Sequence, residues 1–210
     1  MFQFQTIEIN KSILHLLYYD SLDLEKHIHC LSHIEKERLR HFKHEKRRKE
    51  FVATRLLKHH FFPEQQIYYT GLGAPYFSDE VYISISHCVG VSAIAFNPAH
   101  RIGLDLEWMG TKAKQLSSKF LNPLEQQILD TKDEILMTRA WSAKESLYKL
   151  AQIKGAIFKE NLVICSYSMD TDTYFECEIR DKEVKYSVHL TSKKVDNLII
   201  TINSYNLDGH

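Results

Sequence analysis

A run of strict apolar–polar alternation, followed across a short glycine-bearing loop by a largely apolar run, constrains this chain most. Val81, Ile83 and Ile85 alternate with Tyr82, Ser84 and Ser86, and after His87-Cys88-Val89-Gly90 the chain returns through Val91 to Phe96. Side chains in a strand alternate faces, so such a pair forms an antiparallel hairpin with one buried face. The pattern is echoed later: Tyr186-Ser-Val-His-Leu, a turn, then Leu198-Ile-Ile-Thr-Ile repeats Tyr82-Ile-Ser-Ile-Ser, a turn and an apolar strand. Helical stretches precede each hairpin. The expected fold is α+β, with two similar α+β subdomains in a pseudo-twofold arrangement and the active site in the cleft between them. The boundary falls near residue 100, giving an N-terminal subdomain 1–100 and a C-terminal subdomain 101–210.

The remaining elements follow from period and punctuation. Residues 3–19 read as one strand with Leu14, Leu16 and Tyr18 on one side. Residues 21–61 read as helical, with a short helix over 35–42 and a longer one over 45–62 that turns Phe51, Leu56 and Leu57 inward and ends at Pro63. Gly71-Leu72-Gly73-Ala74-Pro75 reads as a turn and 101–108 as a strand. Residues 123–130 and 133–153 read as helices, the second closed by Gly155, and 162–205 as three or four strands, the last two over 184–191 and 197–203.

Charge is balanced overall, with 27 Lys and Arg against 27 Asp and Glu. No global field therefore draws the chain to nucleic acid or a membrane. Locally the balance shifts: from Glu35 to His60 ten Lys or Arg face four Glu, which is either a solvated helix face or a place for an anionic ligand. The cysteines Cys30, Cys88, Cys165 and Cys177 include no CxxC pair. The opening Met1-Phe2-Gln3-Phe4-Gln5 lacks the basic start and apolar run of a secretory signal, and no apolar stretch approaches a bilayer's thickness. A cytoplasmic protein is the expectation.

Chemistry enters with Ile102-Gly-Leu-Asp105-Leu-Glu107. As a strand it turns Ile102, Leu104 and Leu106 to the core and Gly103, Asp105 and Glu107 to the other face. The two carboxylates then stand roughly 6.5–7 Å apart, within reach of one hard cation. A strand with one solvated face is the plain alternative. In the helix Trp141-Ser-Ala-Lys144-Glu145-Ser-Leu-Tyr-Lys149, an apolar stripe of Leu136, Ala140, Ala143, Leu147, Leu150 and Ala151 leaves Trp141, Glu145 and Lys149 on another face. Glu145 and Lys149 have the spacing of an exposed helix ion pair, but a tryptophan beside them suggests a covered surface. Glu145 added to Asp105 and Glu107 makes an oxygen-only set that suits magnesium better than zinc, and would hold a diphosphate. His87, at a strand end, is either structural or a phosphate donor.

These residues resemble a known family. Gly103-Leu-Asp105-Leu-Glu107 is similar to the G-[IV]-D-[VIL]-E motif of Sfp-type 4′-phosphopantetheinyl transferases. Trp141 to Lys149 is similar to the family's W-[ST]-x-K-E-[AS]-x-x-K, with Asp105 and Glu145 about 40 residues apart. Ile85-Ser86-His87 resembles I-S-H-S, Phe120 with Glu125 resembles F-F-x-x-x-E, and residues 35–58 resemble the basic N-terminal segment. Two positions depart: Ala74 stands where the family has the lysine of G-K-P, and Cys88 where it has the second serine of S-H-S.

The resemblance implies transfer of the phosphopantetheine arm of coenzyme A, the co-substrate, to a serine of an apo acyl or peptidyl carrier protein by a monomer. It implies that Asp105, Glu107 and Glu145 coordinate Mg²⁺, with Mn²⁺ as an alternative. Lys149 would contact the phosphate bridge and assist the leaving group, and Glu145, directly or through a metal-bound water, would take the serine proton. Lys144 would support the diphosphate or an adjacent carboxylate. Ser86 and His87 would bind phosphates, and Arg48 or Lys49, with Lys36 and Arg38 behind them, would hold the 3′-phosphate. Lys112, Lys114 and Lys119 are either a docking surface for the acidic carrier or ordinary surface charge. Rival readings are a non-catalytic carrier-binding relative, which would lack one of the acids, and a Mg²⁺ phosphohydrolase or nuclease whose basic helix meets nucleic acid. The His27-x-His29-Cys30-x-x-His33 cluster matches no standard zinc spacing.

Overall fold

The structure, a computed structural model, describes residues 1–79, 81–204 and 208–209. Residue 205, the expected end of the strand region, lies outside them.

The N-terminal strand is in fact a hairpin, β1 (Phe2–Ile9) and β2 (Ser12–Tyr19). Asn10 and Lys11 between them take φ of 53° and 62°. Two successive left-handed residues make the tight turn whose twist matches paired strands. Leu14, Leu16 and Tyr18 do share a face, while Leu17 packs on the opposite side. Helices α1 (Leu24–His27), α2 (His33–Arg40) and α3 (Glu45–Phe61) follow, with a short 3-10 turn over Ile28–Cys30. α2 begins earlier than expected because Ser32 and Glu35 cap it reciprocally: Ser32 N donates to Glu35 Oε2 at 3.0 Å and Glu35 N to Ser32 Oγ at 3.3 Å.

Two three-residue strands, β3 (Ile67–Tyr69) and β4 (Pro75–Phe77), flank the predicted turn. The alternating run and the apolar run after it form β5 (Tyr82–Cys88) and β6 (Val91–Asn97), as expected. Then come β7 (Leu104–Trp108), α4 (Lys112–Gln115), α5 (Ser117–Phe120), α6 (Glu125–Ile128), α7 (Glu134–Ala151) and α8 (Phe158–Asn161). The chain finishes with β8 (Leu162–Met169), β9 (Thr173–Asp181), β10 (Val184–Val195), β11 (Leu198–Asn203) and β12 (Asp208–Gly209). Asp133 caps α7, accepting from Ile135 N and Leu136 N. The helix ends at Gln152, in the left-handed region at φ 51°, before Gly155 is reached.

The two antiparallel sheets run β1-β2-β6-β5-β4-β3 and β7-β11-β10-β9-β8. Apart from β1, and from β12, which pairs with β10, they share one topology: a first strand, helices, then four strands of which the last pairs with the first. β5–β6 and β10–β11 occupy equivalent places, so the echo in the sequence reflects a repeated architecture. The fold is α+β.

Three apolar clusters hold it together. Leu14, Leu16, Ala93 and Ala95 of the first sheet meet Leu104, Leu106, Ile200 and Ile202 of the second. Leu57 and Val52 of α3 cover the first sheet, and Leu136, Ala140, Ala143, Leu147 and Leu150 of α7 cover the second. Burying each large aliphatic chain contributes about 1.5–3 kcal/mol. No helix among the described residues is long and apolar enough to cross a membrane.

His15 of β2 makes one consequence testable. Its ring stacks 3.8 Å from Phe61, and its Nδ1 lies 2.8 Å from Thr6 Oγ1. Burial, with the nearby His60 adding to it, lowers its pKa to about 4. The folded protein therefore binds fewer protons than the unfolded chain between about pH 4 and the unperturbed value near 6.5. His15 contributes stability above pH 6.5 that is lost as pH falls toward 4. Thermal unfolding followed from pH 7 to pH 4.5 should show the loss, and a His15→Phe protein should show a shallower fall.

Candidate active site

β7 is held on three sides, which brings its acids to the second half's long helix. One edge pairs with β11. From β5, Ser84 Oγ accepts Leu104 N at 2.9 Å and Ser86 Oγ accepts Leu106 N at 3.1 Å, so two serines link the sheets. On the third side α7 lies directly on Gly103: a Cβ there would stand 2.3 Å from the Ser146 carbonyl oxygen. The face carrying Gly103, Asp105 and Glu107 is thus covered by helix, which disposes of the solvated-strand alternative.

Asp105 is buried. Its Oδ1 accepts from Lys149 Nζ at 2.9 Å and from Ser86 Oγ at 3.1 Å. Lys149 also donates to Ser86 Oγ at 2.9 Å and to Leu104 O at 2.7 Å. Trp141 Nε1 donates to Glu107 Oε1 at 2.7 Å. Trp141 and Lys149 of α7 therefore both reach acids on β7, as the off-stripe tryptophan suggested, and Lys149 turns to Asp105 rather than forming a surface pair.

The three acids feel one another. Burial and then Asp105 raise the Glu107 pKa, against the opposing Trp141 hydrogen bond. Glu145 is pushed up to about 7 by burial, then by Asp105 and Glu107, with Lys149 opposing. Asp105 Oδ2 is buried with no hydrogen-bond partner. An orphaned carboxylate oxygen between two acids that resist ionisation suits a hard cation. As the side chains stand, however, no group of three His, Cys, Asp or Glu among the described residues is gathered closely enough to hold an ion. By type and mutual repulsion the residues fit a metal.

A cleft of about 690 Å³ opens beside this cluster. The first half supplies Arg38, Arg47, Glu50, Tyr69, the 71–75 loop and His87, and the second half Tyr148, Lys149 and residues 152–155. That volume suits a nucleotide-sized ligand. Arg38 stacks 3.7 Å over the Tyr69 ring. Burial lowers the His87 pKa, with Glu50 opposing.

Several expected residues lie elsewhere. Arg48 and Lys49 line a separate shallow recess with Leu22, Asp23 and Lys43, and Lys49 pairs with Glu45 at 2.6 Å. Lys36 does not line the cleft, although Arg38 does. Ser86 is buried, and its hydroxyl accepts from Leu106 N and Lys149 Nζ and donates to Asp105 Oδ1. Of the two expectations for Lys144, the structure has it at a carboxylate and away from the cleft: it is fully buried, pairs with buried Glu125, and donates to the carbonyls of Leu162 and Phe158. Glu125 also accepts from Asn122 N and Ile164 N, both at 2.7 Å. Of the carrier-docking lysines, Lys114 pairs with Glu134 at 3.2 Å. Cys88 is a neutral thiol, raised to about 12 by burial, then by Glu107 and Asp105.

Arg47, Glu50 and Tyr148 were missed. Arg47, Glu50, Phe51 and Thr54 recur at three- and four-residue intervals along α3, a helical phase that could have separated them from Arg48 and Lys49.

Acids on a strand and a helix, beside a cleft lined with cations, are the equipment of an α+β protein that handles a phosphorylated ligand. The family described as the 4′-phosphopantetheinyl transferase superfamily matches residues 101–203, from just before β7 to the end of β11. The chain belongs to that superfamily through its C-terminal half, as a transferase of the 4′-phosphopantetheinyl type. No curated protein matches it.

Proposed function

We propose that this protein transfers the 4′-phosphopantetheine group of coenzyme A to a serine of an apo acyl or peptidyl carrier protein, releasing 3′,5′-ADP. The observation that carries this reading is the Asp105–Lys149–Ser86 cluster, with Glu145 on the same helix as Lys149, at the edge of a cation-lined cleft. Residues 1–100 and 101–210 would act as two subdomains, with coenzyme A between them, in a cytoplasmic monomer.

The carrier serine oxygen attacks the pantetheine-side phosphorus. The new P–O bond forms as the bond to the bridging oxygen breaks, and that oxygen leaves on 3′,5′-ADP. Glu145, carried on α7 one turn before Lys149, accepts the serine proton directly or through a water. Lys149, anchored on Asp105, offsets charge on the departing phosphate. Arg47 with Arg38 takes the 3′-phosphate in preference to Arg48 and Lys49, because they line the cleft. His87 and Lys154 face the remaining phosphates and supply the cation that Ala74 lacks. Asp105, Glu107 and Glu145 would hold Mg²⁺, or Mn²⁺, which when bound neutralises diphosphate charge. The carrier would dock along Lys112, Lys114 and Lys119.

The test is intact mass of an apo carrier incubated with the protein, coenzyme A and Mg²⁺. The carrier should gain one phosphopantetheine, and EDTA should prevent the gain. A carrier of unchanged mass in the complete mixture overturns the reading.

A further inference from the structure

One acid lies where the cleft otherwise offers cations. Glu50 of α3 is 5% exposed and lines the cleft that Arg47, His87 and Lys149 share. Its carboxylate accepts from Arg47 Nη1 at 3.2 Å, and stands 3.8 Å from Lys46 Nζ and 3.5 Å from His87 Nε2. The surrounding structure holds it there. The Glu50 carbonyl accepts from Thr54 Oγ1 at 2.9 Å, and Thr54 Oγ1 lies 3.0 Å from Ser92 Oγ of β6. A fixed carboxylate in a cleft for a polyanion opposes ligand binding through its charge, and opposes it more where water is excluded.

We propose that Glu50 is an internal competitor for the ligand's phosphate. It holds Arg47 and His87 in the free protein and yields them when a phosphate binds. Its retained charge keeps the product from binding tightly, so that 3′,5′-ADP departs. This rests on the transfer reading above and adds a residue that sets affinity and release within that site.

The experiment uses Glu50→Gln, which keeps the shape and an acceptor oxygen but removes the charge. Calorimetry should show 3′,5′-ADP and coenzyme A binding on the order of tenfold tighter than to the wild type, the size of one screened charge–charge interaction. Product inhibition should strengthen, and kcat should fall as release slows. Damage to the fold would weaken binding, so the sign separates competition from a structural role; unchanged or weaker binding overturns the proposal. A wild type that binds both ligands but modifies no carrier overturns the transfer reading alone, and Glu50→Gln still decides the competition. A wild type that binds neither overturns both. Should Glu50→Gln not fold, the wild type decides by NMR. The His87 ring signal, assigned by its loss in His87→Asn, must move when 3′,5′-ADP is added, and a signal that stays in place overturns the exchange of partners.

Discussion

Asp105→Asn should leave a folded protein whose rate of carrier modification is lower by on the order of a thousandfold. The amide keeps the size of the side chain and an oxygen for Ser86 Oγ and Lys149 Nζ, which now bond to Oδ1 at 3.1 and 2.9 Å. What it removes is the charge that anchors the Lys149 ammonium and the buried oxygen suited to a cation. Losing one preorganised electrostatic group typically costs 10²–10³ in rate, and Asp105 supports two. Single-turnover transfer followed by mass is the measurement, with circular dichroism as the check on folding. Glu145→Gln should give a comparable loss. A Glu145→Gln protein at full rate would remove the helix acid from the chemistry and leave the strand acids in place.

Lys144→Met is expected to act on stability instead. The side chains of Lys144 and Glu125 are both fully buried and form an ion pair. Their attraction offsets the cost of taking two charges out of water, and removing the ammonium leaves a carboxylate enclosed without its partner. Breaking a buried pair in this way costs about 3–5 kcal/mol. For a chain of this size that lowers the melting temperature by roughly 10 °C. Adding Glu125→Leu should recover only part of the loss, since it removes the stranded charge but leaves Asn122 N and Ile164 N without their acceptor. Lys144→Met that stays folded should keep its affinity for coenzyme A. A folded variant that no longer binds coenzyme A would return Lys144 to the cleft.

These two residues also show what could be read before the structure was seen. Asp105 was legible because a strand's period of two puts it on one face with Glu107, and the observed β7 keeps that face together. The α7 stripe was legible for the same reason at a period of 3.6, and all but half-buried Ala151 of its six residues are buried. Lys144 could not be placed from the sequence, since standing next to Glu145 in the chain does not put it on the same face of a helix. One residue is about 100° of rotation, enough to turn the lysine into the second half's core. The same arithmetic separates Arg47 from Arg48. The β1–β2 turn was hidden because Asn-Lys lacks the glycine that usually marks two left-handed residues, and β3 and β4 are too short to show a period. The convergence of a strand with a helix 40 positions away depends on Gly103 accepting the helix backbone, a tertiary contact with no local signature.

That backbone-on-backbone seat has a mechanical consequence. With Ser146 against Gly103 and two hydroxyl rungs from β5 behind it, the acid-bearing strand has no free direction in which to give way. Accommodation of a bulky nucleotide must come from the rim. The pliable candidates there are the 71–75 loop, with two glycines, and the segment past Gln152 ending in Gly155. The reacting end of the cleft works as an anvil, and the entrance as the part that yields.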